Sequence, residues 1–313
     1  MKTAYTTMKS SNKKGSNLIT TWFEPEENTV RASVVISHGI GEHMGRYAEL
    51  ADFLTKRGIA VVGLDMIGHG RSISGNEPAM YFGKEGSWKY LVLDLINLVK
   101  IVKEKYPSKP CFLLGFSMGS FVVRHALIEA GYRTIEINGV ILAGTGEISN
   151  LTAKLVKNVI AKESEKVGGD FNQSRKVNDL AFGNYNKYFK PCKTDFDWLC
   201  QNESGIKDYI DDNLSQKFIT PGMFRELLSG MAYTSQKKNI KKTNPNIPLL
   251  FLSGDNDPVC GFGKGIKKIV KGFSKHFNNV ELRIYSESRH DIFHDNSKQK
   301  ATNCLYSWID LNI

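Results

Sequence analysis

The sequence has 313 residues, of which 41% are hydrophobic and 24% are charged. These fractions are typical of a globular protein, and the length suits one large α/β domain with an insertion, or two domains. No run of about 18 apolar residues occurs, and the polar, basic segment 1–14 lacks an apolar core of signal-peptide length. These observations exclude a helical membrane-spanning protein and predict a cytoplasmic location.

The formal net charge is +10, and lysines cluster in segments 237–242 and 264–275. Acidic residues are interspersed elsewhere and no nucleic-acid-binding motif is recognisable, so we expect solvated lysine faces and no nucleic-acid partner. Attraction to an anionic lipid surface is the alternative. The five cysteines have no metal-like spacing, which favours free thiols in a reducing compartment.

Strands and helices alternate through the first half of the chain. After a basic tail, segment 17–24 is predicted to be an edge strand. The predicted buried strands are 32–37, 59–64, 111–114 and 139–144. Helical spacing of apolar residues occupies 46–56, 88–105 and 118–130. Short loops between alternating elements indicate a parallel, doubly wound sheet.

From about residue 147 this alternation stops. Segment 147–245 has no apolar strand run but contains several amphipathic helical stretches. The alternation returns with strand 249–253, helix 263–273, strand 280–286 and helix 298–309. We therefore predict one α/β core formed by residues 1–146 and 246–313, interrupted by a helical cap at 147–245.

The segment 110–131 predicts a strand, a sharp turn and a helix around Gly115-Phe116-Ser117-Met118-Gly119. Glycines on both sides allow the two flanking backbones to approach closely while the serine is held in a strained conformation. The helix N-terminus beneath the hydroxyl stabilises negative charge. Ser117 is therefore the predicted nucleophile.

A serine nucleophile needs a base, and the base needs an acid. Past the insertion, one predicted strand ends before Asp255 and Asp257, and the next ends before His290. The order Ser117, Asp257, His290 is that of α/β-hydrolases. The other histidines are expected to be non-catalytic: His38, His43, His69, His125 and His276. Two further interpretations have weaker support: His290 and His294 as a metal-binding pair, and His290 with Asp295 as an acyltransferase-type pair.

The oxyanion formed by attack on a carbonyl requires two N–H donors. Met118 directly follows the nucleophile and supplies one of them. The second is assigned to Ile40, because the glycines of segment 38–41 allow that loop to turn its amides inward.

Four motifs together resemble the monoacylglycerol lipase and lysophospholipase family of α/β-hydrolases. They are His38-Gly39-Ile40-Gly41-Glu42-His43 with Arg46-Tyr47, segment 65–72, segment 115–119, and Gly254-Asp255-Asn256-Asp257-Pro258-Val259. The resemblance covers nearly the whole chain, and cap segments 196–199 and 220–224 are similar to bacterial members. It implies an eight-stranded, mostly parallel α/β-hydrolase sheet with a helical cap, and a serine hydrolase without cofactor or metal. The family spacing favours Asp257 over Asp255 as the acid.

The substrate implied by the resemblance is a single-chain acyl ester, such as a glycerol monoester or a lysophospholipid. Gly39 and Val259 in the motifs, with Leu151 and Leu155 in the cap, are the expected substrate-binding residues. The cap residues belong to an amphipathic face that would line an acyl tunnel, touch a lipid surface peripherally, or pack ordinarily on the core. An acyltransferase using the same acyl-enzyme and a short-chain carboxylesterase are the alternative functions. Cys260 is expected either at the rim of the site or as an inert buried thiol.

Overall fold

The computed structural model describes residues 1–12, 14–27, 29–73, 78–131 and 136–313. Within these ranges one sheet has eight strands: β1 Lys2–Lys9, β2 Asn17–Glu24, β3 Ala32–Ser37, β4 Ile59–Leu64, β5 Cys111–Phe116, β6 Gly139–Ala143, β7 Leu249–Gly254 and β8 Val280–Tyr285. Their order is β1-β2-β4-β3-β5-β6-β7-β8, and the pairs from β4 to β8 are parallel. The predicted doubly wound, mostly parallel sheet is confirmed.

Helices cover both faces of the sheet. The described helices are α1 Ala48–Thr55, α2 Trp88–Lys105, α3 Met118–Ala130, α4 Asn150–Lys166, α5 Arg175–Asn178, α6 Glu203–Asp211, α7 Pro221–Thr234, α8 Lys237–Ile240, α9 Phe262–Phe273 and α10 Lys298–Leu311. One hydrophobic core lies between the sheet and helices α2, α3 and α9. A second core lies between the opposite face and helices α1 and α10. Strands β3 to β7 are therefore buried on both sides, which explains their continuous apolar runs.

The N-terminal segment differs from the prediction. The segment expected to be a basic tail contains β1, which pairs antiparallel with β2 from Lys2–Glu24 to Lys9–Asn17. Strand β2 is consequently not an edge strand, since it also pairs with β4. Side chains of β1 are exposed except Met8, so the strand has no apolar alternation that sequence patterning could detect.

The last long helix of the insertion between β6 and β7 also belongs to the core. Helix α7 packs into the core layer, where a Cβ added to Gly230 would lie 2.0 Å from the Trp88 indole. The carboxylate of Glu226 accepts the backbone N–H of Trp88 at 2.9 Å and thereby caps the start of α2. The insertion predicted at 147–245 therefore includes a helix that packs in the core, and these bounds of the cap stay a prediction. An amphipathic pattern predicts which face of a helix is buried, but it does not identify the part of the protein that covers this face.

Candidate active site

The turn between β5 and α3 holds Ser117 in a strained backbone conformation, with φ 49° and ψ −118°. A Cβ on Gly119 would lie 1.9 Å from the carbonyl oxygen of Ser37, and one on Gly115 would lie 2.6 Å from that of Gly119. Only glycine fits either position without displacing backbone. The two glycines therefore let β5, the serine turn and β3 pack close enough to expose the hydroxyl at the carboxyl end of the sheet.

The structure brings Ser117, His290 and Asp257 together. The Ser117 Oγ lies 2.8 Å from His290 Nε2, and His290 Nδ1 lies 3.0 Å from each carboxylate oxygen of Asp257. The side chains of His290 and Asp257 are 1% and 0% exposed. This geometry places Nδ1–H as donor to the carboxylate and leaves Nε2 as acceptor for the serine hydroxyl.

Local backbone contacts hold the acid and the base in this arrangement. The N–H of Val259 donates to Asp257 Oδ1 at 2.8 Å. A Cβ on Gly254 would lie 2.1 Å from the carbonyl oxygen of Ser288, so this glycine lets the end of β7 approach the loop that carries His290. The Val259 backbone thus orients the acid, and the expected contact of Val259 with substrate stays a prediction.

Asp255 lies apart from the histidine. Its carboxylate accepts the Asn256 side-chain amide at 3.0 Å and the Ser288 N–H at 3.4 Å. His294 also lies apart: its Nδ1 is 2.9 Å from Asp291 and its Nε2 is 3.0 Å from the carbonyl oxygen of Arg46. Asp295 accepts backbone N–H groups, and the alternative histidine pairings considered from sequence are not formed.

The predicted oxyanion donors come from two separate segments, the start of α3 and the loop that follows β3. Met118 is the first residue of α3, where backbone N–H groups have no intrahelical acceptor. Ile40 lines the cavity that contains Ser117. The Gly39 N–H donates to Glu42 Oε1 at 2.6 Å, whereas the N–H of Ile40 has no hydrogen-bond acceptor within the described part of the chain. Gly39 shapes this loop and is not among the cavity-lining residues.

A buried ion-pair network supports the oxyanion loop and the histidine loop together. The Arg46 guanidinium lies 3.1 Å from Glu42 and 2.9 Å from Asp291, and all three side chains are buried. The Tyr47 hydroxyl also donates to Glu42 at 2.6 Å. Burial raises the pKa of Asp291, but His294 and Arg46 lower it more, so its pKa is well below the ordinary value. The Glu42, Arg46 and Tyr47 positions were part of the motif, but their partner Asp291 was not foreseen.

The histidines of the glycine-rich loops have structural partners. His38 accepts the Met66 N–H at 3.0 Å, and its pKa is lowered to about 3 because it is buried. His69 packs edge-on against His38, with ring centroids 5.1 Å apart, and burial also lowers its pKa to about 3. Both rings are neutral at pH 7 and brace the loops behind the oxyanion donors.

An aromatic side chain of the cap, Trp198, covers His290, and we call it the roof of the site. The Trp198 indole lies over the imidazole with centroids 5.3 Å apart, and Phe182 stacks on the indole at 5.6 Å. The backbone around this roof is held to the histidine loop. Asp291 N–H donates to the carbonyl of Leu199 at 2.6 Å, while Asp295 accepts the N–H groups of Gln201 and Arg289, each at 2.8 Å. Sequence reasoning missed Trp198 as a site residue, although the cap segment 196–199 that contains it was part of the resemblance.

The cavity beside Ser117 is narrow, with about 40 Å³ of space, room for on the order of three water molecules. Its lining is mostly apolar and includes Ile40, Met80, Phe116, Phe182, Phe196, Trp198, Leu199 and Phe218. Leu151 and Leu155, expected to bind substrate, do not line it; they are 69% and 58% exposed on α4. The expectation that these two leucines line the acyl site is therefore not met, because their helix turns this face to solvent.

Comparisons with known proteins agree with this architecture. The model of the family described as serine aminopeptidase, S33 matches residues 28–297. The monoglyceride lipase of Rattus norvegicus is 26% identical over 308 residues, covering 96% of this chain and 89% of the relative. The monoglyceride lipase homolog of Monkeypox virus is 29% identical over 282 residues, covering 89% of each chain.

Among solved structures, a thermostable carboxyl esterase from Bacillus coagulans in complex with glycerol has a TM-score of 0.88 and 25% sequence identity. The similarity covers 99% of this chain and 98% of the esterase. Within the described residues, no helix combines the length and apolar character needed to cross a bilayer.

Proposed function

Because the chain belongs to the serine aminopeptidase, S33 family and is a serine hydrolase of carboxylic esters, we propose that it cleaves single-chain acyl esters of small alcohols. The observation that carries the proposal is the 2.8 Å contact between Ser117 Oγ and His290 Nε2 inside a mostly apolar cavity. The relatives named monoglyceride lipases support a lipid-like monoester as the substrate.

In the acylation step, Ser117 Oγ attacks the ester carbonyl while its proton moves to His290 Nε2. Asp257 stabilises the resulting imidazolium through Nδ1–H. The N–H groups of Met118 and Ile40 donate to the carbonyl oxygen as it becomes negatively charged. The tetrahedral intermediate collapses when the ester C–O bond breaks and His290 gives its proton to the departing alkoxide, leaving an acyl-serine.

Water completes the cycle. His290 takes a proton from a water molecule that attacks the acyl-serine, and returns it to Ser117 Oγ as the acid departs. An alcohol acceptor in the place of water would turn the same intermediate into a transacylase product. The choice between these outcomes depends on which nucleophile reaches His290 under the Trp198 roof.

The small cavity means that an acyl chain enters only when part of the cap moves. Segment 197–202 is held to the histidine loop by the Asp291 N–H, which donates to the Leu199 carbonyl, and by the Gln201 and Asn202 N–H groups, which donate to the Asp295 carboxylate. The roof over His290 is therefore the fixed side of the cavity. Phe218 lines the cavity and is also 46% exposed, which places the opening at this residue. An acyl chain entering there would displace water from the aromatic lining, with about 0.8 kcal/mol for each methylene buried.

The exposed residues Leu151, Leu155 and Val159 recur every four positions and form an apolar ridge along α4. An apolar ridge on the outside of a cap is suited to the interfacial region of a bilayer, where single-chain esters reside. We therefore propose peripheral contact with lipid surfaces through this ridge.

The test uses purified protein and a panel of monoacylglycerols, lysophospholipids and short aryl esters, with a fluorophosphonate probe. The wild type should be labelled and should release fatty acid fastest from monoesters of medium or long chains, whereas Ser117→Ala should do neither. Product analysis with added glycerol separates hydrolysis from transacylation. A rate that is flat or falls with acyl length, measured below the aggregation limit of each substrate, would indicate a short-chain esterase instead.

A further inference from the structure

Helix α9 carries lysines on one face only. Lys264, Lys267, Lys268 and Lys271, with Lys275 just after the helix, fall within an arc of about 100° when viewed along the axis. The opposite side of the helix is buried in the core. All five lysines are exposed, so the whole solvent face of this helix is cationic.

A second lysine group adjoins the end of α9. Helix α8 and the two residues after it contribute four exposed lysines, Lys237, Lys238, Lys241 and Lys242. His276 Nε2 lies 2.9 Å from the carbonyl oxygen of Thr243, and this contact joins the segments that follow the two helices. We call these nine lysines the basic face.

The basic face lacks acidic partners. Segment 236–280 contains two acidic residues, Asp255 and the buried Asp257, against nine lysines. Within the part of the chain that the structure describes, none of the nine lysines forms an ion pair. A lysine-rich helix that is merely solvated usually interleaves acidic residues with i,i+4 spacing. This face instead groups nine of the 42 lysines and arginines of the chain.

The basic face adjoins the apolar ridge of α4. The Gln236 side chain, directly before α8, donates to Asn150 at the start of α4 at 3.3 Å. At the other end, the exposed Tyr188 of the cap contacts Phe262, the first residue of α9, with ring centroids 4.9 Å apart. Cationic and apolar groups are therefore next to each other, as in proteins that bind the surface of anionic bilayers.

We propose that the basic face binds the anionic phospholipid head groups of a bilayer, and so makes membrane attachment selective for negatively charged lipid. The composition favours lipid over nucleic acid, because all nine cations are lysines, whereas nucleic-acid recognition commonly uses arginine forks and exposed aromatic rings. A nucleic-acid duplex also offers no apolar surface that the neighbouring apolar ridge could contact.

The experiment measures co-sedimentation of the full chain with phosphatidylcholine vesicles and with vesicles containing about 30% phosphatidylglycerol. The test variant is Lys264→Gln, Lys267→Gln, Lys268→Gln and Lys271→Gln combined. Lys2→Gln, Lys89→Gln, Lys100→Gln and Lys300→Gln combined form the control, since these exposed lysines lie on β1, α2 and α10. Both variants lower the formal charge from +10 by four, to +6.

The wild type should bind the anionic vesicles at least tenfold more tightly than the neutral ones, with affinity falling as salt is added. Each lysine near an anionic surface contributes about fivefold, so removing four should cost the test variant on the order of 600-fold, while the control loses less than about fivefold. The proposal is overturned by equal losses in the two variants, by equal binding to both vesicle types, or by tighter binding to a DNA duplex than to vesicles at 0.15 M salt.

Binding is read independently of catalysis. Ser117→Ala should co-sediment like the wild type, so a failure of the proposed esterase activity leaves this measurement intact. Thermal melts of both lysine variants check folding, and exposed substitutions of this kind usually change stability little.

Discussion

The indole of Trp198 covers the imidazole of His290, with ring centroids 5.3 Å apart and planes inclined by 34°. Phe116 contacts the same imidazole at 5.0 Å, so the ring is confined between one aromatic side chain from the core and one from the cap. The proposed mechanism requires His290 to give a proton to the leaving alcohol. The alcohol part of the substrate must therefore lie beside the imidazole that Trp198 covers.

Replacing Trp198 tests whether this roof positions the base and limits the alcohol. Trp198→Ala should lower kcat/KM for a monoacylglycerol by about 10- to 100-fold, because a misplaced imidazole loses proton-transfer geometry. Trp198→Phe keeps an aromatic roof and should stay within about fivefold. Measuring both variants with an ester of a bulky alcohol gives the second readout: the alanine variant should lose less on that substrate. Equal losses on both substrates would show that Trp198 does not limit the alcohol.

Asp257 and Asp255 differ in their distance from the base, and their amide variants should differ in activity. Asp257→Asn removes the acceptor that orients His290 Nδ1–H, and a loss of about 10⁴ in kcat is expected for that change in a serine triad. Asp255→Asn should stay within about tenfold, because the Asp255 carboxylate accepts only from the Asn256 side-chain amide and the Ser288 N–H among the described contacts. Steady-state assays of both variants show which carboxylate is needed for activity, and the opposite ranking would remove Asp257 from the mechanism.

His294 should make stability depend on pH. Burial lowers its pKa, but the neighbouring Asp291 raises it more, so its pKa lies above the ordinary value of 6.5. A raised folded-state pKa means that protonated His294 contributes stability that is complete below about pH 6.5 and is lost as the pH rises through the folded value. The Tm of the wild type should therefore fall as the pH rises through the folded-state pKa of His294.

His294→Gln removes the titrating group and should flatten the dependence of Tm on pH in this window. His276→Gln is the matched control, since His276 hydrogen-bonds a backbone carbonyl at 2.9 Å. A steep pH dependence that persists in His294→Gln would assign the effect to a different residue.

Cys260 is buried behind the acid rather than at the rim of the cavity. Its thiol lies 3.3 Å from Ser253 Oγ and 3.4 Å from the carbonyl oxygen of Asp257. Burial, followed by the charge of Asp257, raises its pKa to about 12. Because the thiolate is the reactive form, maleimide at pH 7.5 should label the exposed Cys192 and leave esterase activity unchanged.

Peptide mass mapping after labelling identifies the modified residue, and Cys192→Ser should remove most of the label. Inhibition that disappears in Cys260→Ser would show that the thiol becomes accessible when the cap opens.

Much of the fold and the chemistry of the site follow from local sequence. Strands β3 to β7 are short apolar runs because both of their faces are covered, and helix α2 has the bounds predicted from its spacing. The nucleophile was also found from local sequence, since Gly115-Phe116-Ser117-Met118-Gly119 is a contiguous pattern, although Gly119 packs against the Ser37 carbonyl of the distant strand β3. The base was found from chain order, because His290 follows the end of a predicted strand.

Contacts between distant segments were beyond the reach of sequence patterning. Strand β1 has no apolar alternation, and its pairing with β2 comes from backbone hydrogen bonds that any side chains allow. Leu155 has the same helical spacing as a core residue, yet it faces solvent because the neighbouring Val156 and Ile160 turn towards α7 and the core. Periodicity reports that a helix has an apolar side, whereas tertiary packing decides which apolar residues are covered.

Local sequence and tertiary structure also made separate contributions at the active site. Sequence by itself determined the serine, the histidine and the acidic loop, since each occupies the end of a strand. Only the tertiary structure decided that Asp257 rather than Asp255 reaches the imidazole, that Asp291 pairs with Arg46, and that Trp198 covers the base. The physical reason is that these contacts join residues tens to hundreds of positions apart, and their ångström-scale distances are set by how loops pack on a shared sheet edge.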